Sequence, residues 1–295
     1  MTHAATAKVS FNVALTVYVT EMMPAPQADS APLVPLPRSF QRVMVIAAHP
    51  DDAEFSFGAT VARLTGEGAQ VTYLIVTDGA QGGEDPTVPA RELTATRYAE
   101  QRQAARMLGV TDVVFLGLPD GLLNDTPELR LALTREIRRH RPELVLTHQP
   151  LRSLQFPIGA SHPDHLAVGQ AALNAVYPDA RNPRAFPELL GEGLPAHRVA
   201  EVWVPGHEHT DLLIDVGRTA ELKMAAILAH RSQFRGSQDP AADIQWVMER
   251  MRGNGPVIGC EYAEAYKRII TDAAAAAGPR PPAARQGAEV PAVAP

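Results

Sequence analysis

Residues 42–54 read RVMVIAAHPDDAE, and the fold turns on how that stretch divides. Arg42–Ala48 is a short apolar, β-branched run, the pattern of a strand buried on both faces. His49-Pro50-Asp51-Asp52 interrupts it. From Glu54 to Gly68 apolar residues recur at 57, 61 and 64 and the pattern closes at Gly66 and Gly68, which predicts a helix with a glycine stop. The alternation repeats outward from this unit. Val71–Thr77 reads as a second strand, Ala90–Leu108 as a long helix ending at Gly109, and Val113–Leu116 as a third strand. Glu128–Arg139 reads as a helix with a basic end, Leu144–Thr147 as a fourth strand and Asp164–Val176 as a helix. Val199–Val204 and Leu212–Val216 follow as strands, and Thr219–Ser232 as a helix. Strands joined through helices imply right-handed crossovers. The expectation is therefore an α/β, Rossmann-like fold with a mostly parallel sheet and helices on both faces. Ligands of such sheets bind at the C-terminal ends of the strands. That rule directs attention to the loops starting at 48, 77, 117 and 148.

Composition narrows the chemistry. The 295 residues hold 27 Lys and Arg against 33 Asp and Glu, a net charge of −6. That balance lacks the basic face a nucleic-acid partner requires. No apolar run reaches the roughly 18–20 residues of a membrane span. The single cysteine, Cys260, excludes an intrachain disulfide and a Cys-rich zinc module, and reads as inert packing. Any metal here is held by His and carboxylate. The mildly apolar segment 10–20 lacks a clear signal-peptide cleavage site, so a cytoplasmic location is expected. Residues 1–40 are expected to form a poorly ordered extension ending in a Pro-rich linker, 41–273 the folded domain, and 274–295 a disordered Ala/Pro-rich tail.

A dinucleotide fold would place glycines after the first strand. This chain instead places an imidazole and carboxylates there, with His49 and Asp52 three residues apart on a strand-to-helix turn. After the fourth strand, Ser161-His162-Pro163-Asp164-His165 repeats the arrangement. Either segment alone is equally a helix cap beside a polar loop histidine. Together, on one rim of the sheet, they supply a His/Asp/His set with an open fourth position, as catalytic zinc requires. Asp51 remains beside it as a carboxylate suited to general-base work on water. His148 reads as a plain loop histidine, His207 and His209 as solvated loop residues, and 78–89 as a Gly-rich rim near the metal.

The chain resembles the PIG-L/LmbE-like family of zinc-dependent N-acetylglucosaminyl deacetylases. The resemblance rests on the two His-Pro-Asp clusters and on Thr77-Asp78-Gly79, Arg97-x-x-Glu100, Leu108-Gly109-Val110, Pro119-Asp120-Gly121 and His230-Arg231-Ser232-Gln233, and runs from about Val43 to Ile270. It implies His49, Asp52 and His165 as ligands of zinc, with iron or cobalt as substitutes. It implies Asp51 as general base and His162 as the group that polarises the carbonyl or protonates the leaving amine. Asp164 would orient His162, Arg97 and Asp120 would contact the sugar, and His230 would close the substrate cleft. Two positions depart from the family pattern. Ala53 stands before Glu54, and Ala160 stands where some members place a tyrosine. The expected function is hydrolysis of an N-acetyl group from a small amino sugar or glycoconjugate. The alternatives are an amidase on a thiol-sugar conjugate, an O-acetyl esterase, or a non-catalytic metal- or sugar-binding protein. A homo-oligomer is left open.

Overall fold

Side chains alternate across a strand, so a strand with apolar residues at every position needs cover on both sides. Strand β1, Arg42–Ala47, is such a strand. In the computed structural model, which describes residues 33–83, 85–154, 158–206 and 210–276, it lies at the centre of the sheet. Val43, Val45 and Ala47 enter one apolar core; Met44, Ile46 and Ala48 enter the other.

The chain runs from β1 into helix α1 (Asp52–Gly66), β2 (Gln70–Thr77), α2 (Ala90–Met107) and β3 (Asp112–Leu118). It returns through α3 (Pro127–His140) to β4 (Leu144–Thr147), on the other side of β1, and continues into α4 (Pro163–Asn174). The last elements are β5 (Glu201–Pro205), β6 (Leu212–Asp215), α5 (Ala220–Ile227), α6 (Gln245–Asn254) and β7 (Ala263–Ile270). The sheet order is β3-β2-β1-β4-β5-β7-β6. Its first five strands are mutually parallel, and β7 lies antiparallel between β5 and β6. The expected mostly parallel α/β sheet is the observed one.

Helices α1, α2, α5 and α6 cover one face through residues such as Phe57, Leu64, Ala104, Ile227 and Val247. Helices α3 and α4 cover the other with Leu133, Ile137, Val168 and Ala172. A buried ion pair ties the first layer together: Lys223 Nζ of α5 meets Glu264 Oε1 of β7 at 2.5 Å. The second oxygen of Glu264 accepts from the Thr60 N–H and the Tyr266 hydroxyl. Ahead of β1, the Val34 N–H donates to Asp215 Oδ2 at 2.9 Å, and Phe40 packs edge-on against Trp203.

The expected helix over 219–232 is shorter. It ends at Ile227, and the chain re-forms as a 3-10 turn over Arg231–Phe234. The Ser232 N–H and hydroxyl both bind the Glu100 carboxylate (2.8 and 2.6 Å), which draws this segment onto α2 instead of along the α5 axis. Among the described residues, no helix is long and apolar enough to cross a membrane. The expectations for 1–32 and 277–295, for His207 and His209, and for the side chain of Ala160 lie outside the described residues.

Candidate metal centre

The chain leaves β1 toward β2 on one side and later places β4 on the other, so the crevice between the ends of β1 and β4 is the switch point where α/β sheets bind ligands. The β1–α1 turn brings His49, Asp51 and Asp52 to that crevice. The N-terminus of α4 brings His162, Asp164 and His165. Gly169 sets how closely α4 approaches. A Cβ there would lie 2.5 Å from the His148 carbonyl oxygen, so only glycine lets the helix rest on the end of β4. One turn before Gly169, the His165 ring stacks on His148, with centroids 4.2 Å apart and planes 12° apart.

Donor atoms of three residues converge. His49 Nδ1 lies 3.2 Å from Asp52 Oδ2 and 3.2 Å from His165 Nε2, and His165 Nε2 lies 3.0 Å from Asp52 Oδ1. Tetrahedral zinc with bonds of about 2.0–2.1 Å spaces its ligand atoms about 3.3 Å apart, and each of these pair distances, in which Asp52 faces the two histidines through different oxygens, is close to that spacing. The far nitrogen of His49 meets Asp120 Oδ1 at 3.1 Å and Asp164 Oδ2 at 3.2 Å. A carboxylate on the distal nitrogen fixes the ring and its tautomer, as metal-binding histidines require. The donor set fits a divalent cation. His148 is buried beside it, but its Nε2 accepts the Ala48 N–H at 2.9 Å, which takes the lone pair a metal would need.

Charge follows the same geometry. Burial disfavours a charged His49, yet the adjoining Asp52 and Asp120 outweigh it and raise its pKa to about 11. Burial also opposes ionisation of Asp52, but His165, His148 and His49 hold it well below the usual carboxylate range. Burial and His165 push His148 down to about 4, so that ring is neutral. Asp51 moves the other way: burial, with Asp52 nearby, pushes it up to about 6 against the pull of Arg97.

Asp51 has φ 115° and ψ −31°, a conformation that a non-glycine residue holds only when its surroundings over-determine it. Its carbonyl accepts from the Glu54 and Phe55 N–H groups (3.0 and 3.1 Å), and its N–H donates to Gln101 Oε1 at 2.8 Å. Arg97 donates to the Pro50 carbonyl at 2.6 Å, to the Gly79 carbonyl at 2.9 Å and to Asp51 Oδ2 at 3.1 Å.

Several residues sit differently from expectation. The Asp164 carboxylate does not reach His162. It accepts from the Gly121 and Leu123 N–H groups (2.7 and 3.1 Å) and meets His49, while the Asp164 N–H donates to His162 Nδ1 at 3.2 Å. His162 therefore carries its proton on Nε2. Burial, His49 and His165 lower its pKa and keep the ring neutral. Arg97 and Asp120, expected at the sugar, are 3% and 7% exposed and committed inward. Arg97 grips the Asp51 turn, and Asp120 holds His49 and the Gln81 N–H (2.9 Å). His230, expected on the cleft wall, is fully buried with Nε2 3.1 Å from Glu54 Oε2. His148, read as a plain loop histidine, belongs to the cluster. Its position at the end of a parallel strand was the signal that pointed there. Glu54 and Gln101 were not foreseen, although Gln101 adjoins the Arg97-x-x-Glu100 motif.

The PIG-L family model, described as GlcNAc-PI de-N-acetylase, matches residues 44–176. The diacetylchitobiose deacetylase of Thermococcus kodakarensis is 32% identical over 194 residues, 66% of this chain and 70% of that protein. The chain belongs to the PIG-L/LmbE family. A probable N-acetyl-alpha-D-glucosaminyl L-malate deacetylase 2 of Bacillus subtilis, 28% identical over 229 residues, covers 76% of this PIG-L/LmbE chain and 95% of its own. Among solved structures, the N,N'-diacetylchitobiose deacetylase of Pyrococcus horikoshii in complex with an inhibitor superposes with a TM-score of 0.73 at 27% identity. It covers 89% of this chain and 94% of that one. The His49–Asp52–His165 convergence lies within this PIG-L/LmbE core, apart from the late strands.

The carboxylate on the far side of His49 carries a measurable consequence. Asp164 accepts from two backbone N–H groups and meets His49, and Asp164→Asn disturbs all three contacts. The substitution is expected to weaken binding of a divalent metal ion by about 10- to 100-fold. Competition against a chelating dye checks this; an unchanged affinity removes Asp164 as the support of His49.

Proposed function

We propose that this chain is a zinc-dependent hydrolase that removes an N-acetyl group from an N-acetylglucosamine-type sugar or glycoconjugate, with Asp51 as general base. As a member of a deacetylase family the chain is a hydrolase of C–N bonds. The single observation that carries the finer reading is the meeting of His49, Asp52 and His165 donors at 3.0–3.2 Å beside the Asp51 carboxylate. Zinc suits an N/O set of this size, and iron or cobalt can occupy the same ligands. The substrate class is supported by the relatives, which are named for a diacetylated chitobiose and an N-acetyl-glucosaminyl L-malate.

When bound, the ion would acidify water and polarise a carbonyl oxygen. The remaining steps belong to the protein. Asp51 takes a proton as water adds to the acetyl carbon. His162, neutral and protonated on Nε2, donates to the carbonyl oxygen while negative charge builds there, the preorganised kind of stabilisation that contributes most in acyl transfer. The C–N bond then breaks, and the proton held by Asp51 passes to the departing amine. Arg97 keeps the Asp51 carboxylate oriented through all of this without touching the sugar.

The test is acetate and amine release by zinc-loaded protein from N,N'-diacetylchitobiose, N-acetylglucosaminyl malate, O-acetylated sugars and larger amides. N-acetylated sugars are expected to turn over and O-acetyl esters not; the reverse pattern replaces this reading with an esterase. The pH dependence is a second measure. A general base acts as its ionised form, and the Asp51 carboxyl is pushed up to about 6. The rate is therefore expected to rise with pH through about 6, and to fall about tenfold per unit below it. A rate flat down to about pH 4.5 contradicts the assignment of Asp51.

A further inference from the structure

The strained backbone of Asp51 has a support that lies outside both the metal ligands and Arg97. Gln101 of α2 is fully buried, and its Oε1 accepts the Asp51 N–H at 2.8 Å. Its Nε2 donates to both oxygens of Glu54, at 2.9 and 3.0 Å. The orientation of the amide follows from its partners. A carboxylate only accepts, so the NH2 faces Glu54; a backbone N–H only donates, so the oxygen faces Asp51. Glu54 is itself 0% exposed, and His230 Nε2 also meets its carboxylate, at 3.1 Å. His230 is held in place by the 3-10 turn that Ser232 fastens to Glu100. A chain of hydrogen bonds thus runs from the segment after α5, through α1 and α2, and ends on the backbone of Asp51.

Burying a carboxylate is costly unless every oxygen is paired. The buried carboxylate here orients one amide, whose other end bonds the residue with φ 115°. We propose that Gln101 is a positioning residue for the reaction: clamped by Glu54 and His230, it holds the Asp51 turn so that the carboxylate stays set beside the metal centre. This rests on the reading of Asp51 as proton acceptor. It explains why His-x-Ser-Gln, far from the crevice in sequence and shut away from the cleft, accompanies the two His-Pro-Asp clusters. The motif builds the far end of the clamp.

The experiment compares Gln101→Leu, the double exchange of Glu54→Gln with Gln101→Glu, and Asp51→Asn in full-length zinc-loaded protein. For each, kcat and KM on diacetylchitobiose are normalised to bound zinc, and crystal structures are determined. Gln101→Leu is expected to lower kcat by about 10- to 100-fold, the scale of a misplaced reacting group, with KM within about twofold and zinc still one per chain. Its structure is expected to show Asp51 relaxed from positive φ and separated from Arg97, a readout that needs no substrate. The double exchange keeps one hydrogen bond between each pair of partners. A carboxylate at position 101 accepts from the Asp51 N–H and from the amide NH2 at position 54, and the amide oxygen at position 54 accepts from His230. It is expected to keep kcat within about fivefold, and it serves where the leucine variant fails to fold. A merely structural role would lower Tm and leave kcat per bound zinc, and the Asp51 conformation, unchanged in Gln101→Leu; that result overturns the proposal. A folded, loaded exchange variant that loses kcat like the leucine variant also overturns it. An active Asp51→Asn protein instead removes the general-base reading on which the proposal stands.

Discussion

Asp51→Asn is expected to reduce kcat by about 10³-fold while zinc stays bound at one ion per chain and KM changes little. Asparagine has the size of aspartate and stays neutral at every accessible pH, so the change removes proton acceptance and little else. The donors proposed for the ion come from His49, Asp52 and His165, so the substitution leaves them in place. Arg97 loses one partner but retains the carbonyls of Pro50 and Gly79. A positioned general base contributes about 10² to 10⁴ in rate. The middle of that range is expected here, because a carboxyl pushed up to about 6 is basic enough to take a proton and still ionised at neutral pH. Metal analysis alongside turnover on diacetylchitobiose checks this. A rate within about tenfold of wild type would mean that another group accepts the proton.

His165→Ala is expected to fail differently, losing metal and activity together. The substitution removes one of three donors and leaves His49 and Asp52, a pair that cannot close a tetrahedral site. It also unstacks His148, whose ring lies against His165 at 4.2 Å. Zinc is expected to fall below about 0.1 per chain after dialysis against a chelator. Turnover is expected to drop by more than about 10³-fold, since Lewis acidity contributes several kcal/mol. Retention of a full equivalent of zinc would show that a different set of residues holds the ion. Asp51→Asn and His165→Ala thus separate chemistry from coordination.

The parallel half of the sheet was legible because each of its elements repeats one strong period. Leu144–Thr147 falls where the run LVLT begins and ends, and α3 departs from expectation by a residue at each end. The final third was less so. The apolar pattern from 219 to 232 continues past Ile227, but Ser232 is claimed by Glu100, and a tertiary bond overrides helical propensity. Strand β7, AEAYKRII, mixes charged and apolar residues because its end pairs with Asp211 and Glu201 across the sheet, so period alone does not mark it. At the site, His49, Asp52 and His165 of the two His-Pro-Asp clusters meet, but so do His148 and Asp120, which lie in neither. What spacing could not convey is which partner each carboxylate serves. Asp164 sits two residues from His162, yet serves His49 from 115 residues away, and only the packing of α4 on β4 makes that pairing.

Among the described residues, strand β6 has one neighbour, and that neighbour is β7, the last strand in the chain. During synthesis on the ribosome, Leu212–Asp215 therefore waits without a ladder until residues 263–270 have emerged, while β1 to β5 are already free to associate. Truncation before Ala263 removes two strands rather than one. It also leaves Lys223 an unpaired ammonium inside an apolar layer, so the molecule's outer edge and its interior fail at the same point of the chain.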